Sequence, residues 1–255
     1  MSSRPVVLVT GAARRVGRVI ALELAAHGHD VAVHWRGSQD EAEATARACE
    51  AHGVRALTFR ADLADETATR ALLPAVAAAF GRVDAVVNNA SAFEYDTAAD
   101  FSYGLLQRQI AANTAPAVVL AQALHDLGPE TGGCVVNLLD QKLWNPNPDH
   151  FSYTLSKAAL ESATTMLAMA LAPRVRVCGV APGLTLESGP MNAEEFERAR
   201  RMSPLQRTST PQDVARAVRF LLESPAITGT TLLVDGGQHL AGQARDVLFL
   251  ARQAK

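Results

Sequence analysis

Tyr153 and Lys157 stand four residues apart in Tyr153-Thr154-Leu155-Ser156-Lys157, and on a helix that spacing puts a phenol and an ammonium on one face. A charge about 6 Å from the phenol, at an effective dielectric of about 20, is worth roughly 3 kcal/mol, or about two pKa units. The expectation is that Lys157 lowers Tyr153 toward useful acid–base work at neutral pH, although such pairs also occur on solvated helix faces. A second group of residues suits phosphate. In Thr10-Gly11-Ala12-Ala13-Arg14-Arg15-Val16-Gly17, small residues let the backbone come close to a pyrophosphate while the following helix offers N–H groups and its positive dipole end.

A third group concerns the ribose. Dinucleotide folds place an acid after the second strand to accept from a 2′-hydroxyl, but here the segment reads His34-Trp35-Arg36-Gly37-Ser38. A guanidinium there, with Arg14 or Arg15 near it, suits a 2′-phosphate, which favours NADPH over NADH. In the bland alternative Arg36 is a solvated loop arginine. Asp62-Leu63 could hold an adenine amino group or simply cap a helix. The seven histidines show no metal spacing, His27 and His29 fall at a helix end where surface roles are expected, and no metal is expected.

These groups need elements to position them. Strands are expected over 6–9, 31–35, 56–60, 83–88, 134–138, 174–180 and 231–234, short apolar runs alternating with helical patterns. The helices include one closed by Gly28, one over about 39–52 with Ser38 and Glu41 at capping-box spacing, and one over about 66–80. A long helix ends near Leu127, one runs over 153–171, and a last one lies around 214–222. Continuous apolar strands separated by helices indicate a parallel sheet buried on both faces, hence a doubly wound open α/β fold. A (β/α)₈ barrel would need eight units and leave the glycine turn unexplained. The stretch 182–204 reads as irregular, a mobile cover at the carboxyl edge of the sheet.

Composition sets the outer bounds. A chain of 255 residues, 48% hydrophobic and 20% charged, suits one domain over 1–255 with enough apolar material for its core. Lys+Arg 24 against Asp+Glu 26 gives a net charge of −2, which argues against a nucleic-acid partner. Cys49, Cys134 and Cys178 form no CxxC pair, so buried reduced thiols are expected, and no apolar run is long enough to span a membrane. A cytoplasmic protein is the expectation.

Taken together the motifs resemble the short-chain dehydrogenase/reductase family over nearly the whole chain. They are TGAARRVG from Thr10, Asp62, Asn88-Asn89-Ala90, Asn113, Tyr153, Lys157, Pro182-Gly183 and Val234-Asp235-Gly236-Gly237. The resemblance implies a single-domain Rossmann-type fold with a seven-stranded parallel sheet flanked by helices, NAD(P)(H), and a homotetramer. It also implies Tyr153 as proton donor, Lys157 on the nicotinamide ribose, and Asn113 in a water-linked proton relay. Cofactor contacts would come from Gly11, Arg14, Arg15, Gly17, His34, Trp35, Arg36, Ser38, Asp62, Leu63, Asn89, Ala90, Ser91, Pro182 and Gly183.

One departure narrows the resemblance. Thirteen residues before the tyrosine the family usually has Ser, and here stands Asp140. An ionised carboxylate would repel the oxyanion of a reduced ketone, whereas a carboxyl group can pair with the N–H groups of a nitrogen heterocycle or assist its protonation. Arg15 in the glycine turn and Asn89-Ala90-Ser91-Ala92-Phe93 are similar to the pteridine reductase and dihydropterin/dihydrofolate reductase branch. That likeness implies a substrate site of Arg15, Ser91, Phe93, Asp140, Tyr153 and Leu184, with Phe93 stacking on a pterin and a substrate loop at about 183–207. Reduction of another carbonyl, imine or quinone is the alternative, and a non-catalytic nucleotide sensor is a third. The apolar run 247–250 could cover this chain or a neighbouring subunit.

Overall fold

The computed structural model describes residues 4–130, 132–187 and 191–253. Seven strands form one parallel sheet: β1 (Val6–Val9), β2 (Asp30–Trp35), β3 (Ala56–Arg60), β4 (Ala85–Asn88), β5 (Gly133–Leu138), β6 (Val175–Pro182) and β7 (Thr231–Val234). Their spatial order is β3-β2-β1-β4-β5-β6-β7. The order reverses between β1 and β4, which opens a crevice at the carboxyl ends of those strands.

The strands are apolar throughout because both faces are covered, and the period of two divides them between two cores. Val7, Val9, Val31, Val33, Val87 and Val136 face α1 (Arg15–Ala26), α2 (Gln39–Glu50) and α8 (Pro211–Glu223). Val6, Leu8, Val86, Val135 and Val177 face α3 (Glu66–Phe80), α5 (Ala115–Leu127) and α6 (Phe151–Ala170). Cys49, Cys134 and Cys178 are buried free thiols, and burial pushes Cys49 and Cys134 up to about 12.

Several elements depart from the sequence reading. The long helix expected to end near Leu127 is two, α4 (Tyr103–Asn113) and α5, broken at Thr114, whose φ is −113°. Pro116 in the first turn of α5 has no N–H to give back to the preceding turn, so the chain restarts there. The stretch expected to be irregular over 182–204 begins as the end of β6, where Pro182 pairs in register with Val234, and later forms α7 (Ala193–Arg201). Asn192 and Glu195 close a capping box on α7, a sequence signal that was there to be read. Of the expected substrate loop at 183–207, residues 188–190 lie outside the described residues.

The box expected at Ser38 does not form. The Ser38 backbone, with ψ at 69°, lies off the extended conformation of a cap, and its side chain makes no capping bond. His29, expected at the surface, is buried and bonds the carbonyl of Leu24, because the chain turns inward at Gly28 to enter β2. The run at 247–250 belongs to α9 (Val247–Gln253) and covers this chain: Val247, Leu248 and Ala251 pack with Met191 and Ala199 beside α7. Among the described residues no helix is long and apolar enough to cross a membrane, and no three His, Cys, Asp or Glu side chains gather as a metal site.

Candidate active site

A parallel sheet puts every strand's exit on one edge, so the segments after β1, β2, β4, β5 and β6 converge at the crevice. After β1 the chain turns at Gly11, whose φ of +62° is open to glycine, and at Arg15, whose φ of +54° is unusual for a side chain of that size. Gly17 sits against the turn. A Cβ there would lie 2.3 Å from the Gly11 carbonyl oxygen and 2.5 Å from the Asn89 amide nitrogen, so only glycine allows this approach.

Asn89 braces the turn by donating its side-chain amide to the carbonyls of Thr10 at 2.8 Å and Gly11 at 3.3 Å. Thr10 Oγ1 accepts from the N–H groups of Asn89 at 2.9 Å and Ala90 at 3.0 Å, which ties the ends of β1 and β4 together. The Gly11 N–H donates to His34 Nδ1 at 3.0 Å, and the other ring nitrogen meets the Ala61 carbonyl at 3.2 Å. With Nδ1 accepting, Nε2 carries the proton, and burial holds His34 down at about 4, so the ring is neutral. His34, expected to contact cofactor, is therefore also the strut between three strand ends.

Around this turn lies a cavity of about 640 Å³, lined by Gly11, Arg14, Arg15, Gly17, His34, Trp35, Arg36, Ser38, Asp62, Leu63, Asn89, Ala90 and Ser91. Thirteen expected cofactor contacts thus converge, in a volume suited to a dinucleotide half. Arg14 and Arg36 bring cationic heads to its rim, and Arg36 lies 4.0 Å from Asp62. The buried indole N–H of Trp35 has no partner among the described residues, a donor left for a ligand. The residues present fit a phosphorylated adenine dinucleotide. Arg15, besides lining the cavity, reaches the Glu187 carbonyl with its guanidinium at 3.0 Å, linking the glycine turn to the segment after β6.

Beyond β5 lies the chemical group. Asp140 Oδ2 accepts from the Tyr153 hydroxyl at 2.9 Å, while Oδ1 accepts the Lys142 N–H at 2.9 Å in the 3₁₀ turn Gln141–Trp144. Lys157 donates to the Leu138 carbonyl at 2.7 Å and lies 5.8 Å from the centre of the Tyr153 ring. The expected lowering of Tyr153 by Lys157 is overturned. Burial and the Asp140 carboxylate push the phenol well above its ordinary value, more than the Lys157 ammonium, held on the Leu138 carbonyl, offsets. Burial raises Asp140 above the usual carboxylate range and lowers Lys157 to about 8.

Asn113, expected in a water-linked relay, gives its side chain to protein. Its amide bonds Ala92, Gln109 and Ser156, and its oxygen accepts from Ala92 N–H at 2.7 Å and Ser91 Oγ at 3.1 Å. It anchors the segment that carries Phe93. Phe93 is 49% exposed, stacked on His150 at 4.1 Å and edge-on to Tyr153 at 4.7 Å. Pro182, Gly183 and Leu184 leave β6 against the terminal turn, with Leu184 N–H on Gln238 at 3.0 Å and no room for a Cβ at Gly183. The sequence reading missed His150, Asp149, Lys142 and Arg245. His150 has a φ of +51°, which no residue pattern announces.

The family profile described as enoyl-(acyl carrier protein) reductase matches residues 11–239. The chain belongs to the short-chain dehydrogenase/reductase family and is an oxidoreductase of that family. It is similar, at 42% identity and a TM-score of 0.87, to FolM alternative dihydrofolate reductase 1 from Brucella canis complexed with NADP, over 94% of this chain and 95% of that one. The Brucella suis FolM structure, also with NADP, gives the same identity and TM-score over 95% and 98%. The 3-oxoacyl-(acyl-carrier-protein) reductase FabG of Staphylococcus aureus is 32% identical over 91% of this chain and 97% of its own length.

Proposed function

We propose that this protein is an NADPH-dependent reductase of a pterin or folate, converting a dihydro form to the tetrahydro form at a C=N bond. The observation that carries the reading is the 2.9 Å bond from Tyr153 to Asp140, a carboxyl where a ketone reductase of this family usually has a neutral hydroxyl. Bound NADPH supplies the hydride. Tyr153 gives its proton to the ring nitrogen beside the carbon that is reduced, and Asp140, whose carboxyl burial makes more basic, takes a proton from water and passes it to the phenolate. Lys157 offsets the phenolate charge as it develops.

Phe93 offers a half-exposed ring edge-on to Tyr153, a surface for a flat heterocycle, and Arg15 and Ser91 line the adjoining cofactor cavity. The likeness to two FolM structures with NADP supports both the substrate class and the cofactor. A homotetramer is part of the same proposal.

The test is NADPH oxidation by purified protein with dihydrobiopterin, dihydromonapterin, dihydrofolate or a β-ketoacyl thioester. Stimulation by a dihydropterin or dihydrofolate is expected, and a rate no faster than without them overturns the reading. A second reading, reduction of a ketone, is favoured by one observation: a carboxyl raised by burial can stay protonated and donate to a carbonyl oxygen, and the FabG relative is a ketoacyl reductase by name. Turnover of the thioester alone would select it.

A further inference from the structure

The segment before and within α9 is fastened to the chemical group by contacts that the proposed reaction does not use. Arg245 grips the buried carboxylate of Asp149 with Nε at 3.1 and 2.8 Å and a terminal nitrogen at 2.8 Å, a two-pronged pair. The next residue adds its N–H to the same carboxylate at 2.7 Å. The buried Lys142 ammonium donates to the Asp149 carbonyl and lies 3.8 Å from the Asp246 carboxylate, while its own N–H holds Asp140. Asp140, Asp149 and the C-terminal segment are thus one bonded unit.

From Arg245 a run of rings leads to the phenol. Its guanidinium lies 4.7 Å over Phe249, Phe249 is 5.6 Å from Tyr95, and Tyr95 meets His150 edge-on at 5.1 Å. His150 stacks on Phe93, and Phe93 meets Tyr153. Tyr95 also donates to Asp149 at 3.4 Å. On its other side α9 holds the α7 helix of the substrate-loop region, through Arg252 to Glu195 at 3.0 Å and Arg198 to the Ala251 carbonyl at 2.9 Å. One short helix therefore joins the segment after β6 to the loops after β4 and β5.

We propose that Arg245 is a positioning residue for substrate: by clamping Asp149 it keeps Phe249 and Tyr95 against His150, and so sets the Phe93 face that a flat substrate meets beside Tyr153. The inference rests on Phe93 and Tyr153 bordering the substrate, as in the function proposed above, but not on that substrate being a pterin. None of the clamp contacts lines the cavity around the glycine turn, so its loss falls mainly on the substrate.

Arg245→Ala, Arg245→Lys and Phe249→Ala are compared with the wild type for KM of NADPH and of whichever substrate the protein reduces. The expected result for Arg245→Ala is a substrate KM raised roughly ten-fold, as small misplacements of a binding wall cost, with KM for NADPH within about two-fold. Phe249→Ala moves the same way, and the lysine, which cannot form the fork, rescues only in part. A parallel rise in both KM values, or no change in either, overturns the proposal. Hydrogen exchange on the same variants requires no substrate: Arg245→Ala loses protection over 149–153 and 92–96 while β1 and β4 keep theirs, and unaltered protection over 149–153 overturns the clamp. If the wild type reduces none of the substrates offered, the functional reading falls and hydrogen exchange alone decides the clamp.

Discussion

Asp140 holds the ionisation of Tyr153 in check, while the Tyr153 hydroxyl favours the ionised form of Asp140 that burial disfavours. The carboxylate keeps the phenol protonated, and burial keeps the carboxyl more basic than it would be in water. Reduction that draws on the Asp140 proton is fastest in acid and falls as pH rises through the raised Asp140 value. A second fall follows above about 8, where Lys157 loses its charge. Asp140→Asn should slow kcat by roughly 10² while removing the lower fall and keeping the one near 8. A kcat profile of unchanged shape in Asp140→Asn would show that the carboxyl takes no part in proton delivery. Tyr153-x-x-x-Lys157 and the odd carboxyl at 140 were legible in the residues. The sign of the Tyr153 shift was not, because spacing along a helix says how near two groups lie and nothing about how dry they are.

At the scale of elements, the turn between β1 and α1 is held from outside by residues on β2 and β4. His34 is the strut most exposed to pH. Its folded value of about 4 lies below the 6.5 of a free histidine because burial disfavours the charged ring, so the unfolded chain takes up a proton first as pH falls. Stability is complete above about 6.5 and is lost as pH drops toward 4, by about 2 kcal/mol at pH 5 from this residue alone. His34→Gln, which can still accept and donate, should lose less stability than the wild type between pH 7 and 5 in denaturant titrations, and an equal loss would remove His34 as the cause. Hydrophobic periodicity located β1, β3, α3 and β7 at their observed limits, since an apolar run flanked by turn residues has few alternatives. It joined α4 to α5, because both bury a similar stripe and only Pro116 marked the break.

For the whole molecule the near-neutral charge conceals unequal faces. On α6, Leu155, Met166 and Met169 are 41%, 60% and 78% exposed and share one uncharged stripe with Ala158, Ser162 and Thr165. An apolar stripe of this kind is costly to leave in water, and in the proposed homotetramer a second copy of the chain would cover it. Met169→Asp is expected to shift the wild-type protein to smaller species in sedimentation velocity, with the fold intact by circular dichroism. A wild type that sediments as a monomer would overturn the tetramer.

The order of the motifs determined by itself that the chain is a doubly wound α/β protein with a phosphate turn, a Tyr–Lys pair and an arginine-rich rim, since each of these is a local pattern of spacing and periodicity. What the rim and the pair are fastened to was decided only in three dimensions. Arg15 turned toward Glu187, Asn113 toward the Phe93 segment, and Arg245, nearly a hundred residues along the chain, onto Asp149. Contacts between distant segments depend on how helices pack over the sheet, and burial, which sets the charge of Asp140, Tyr153, Lys157 and His34, exists only once that packing is complete.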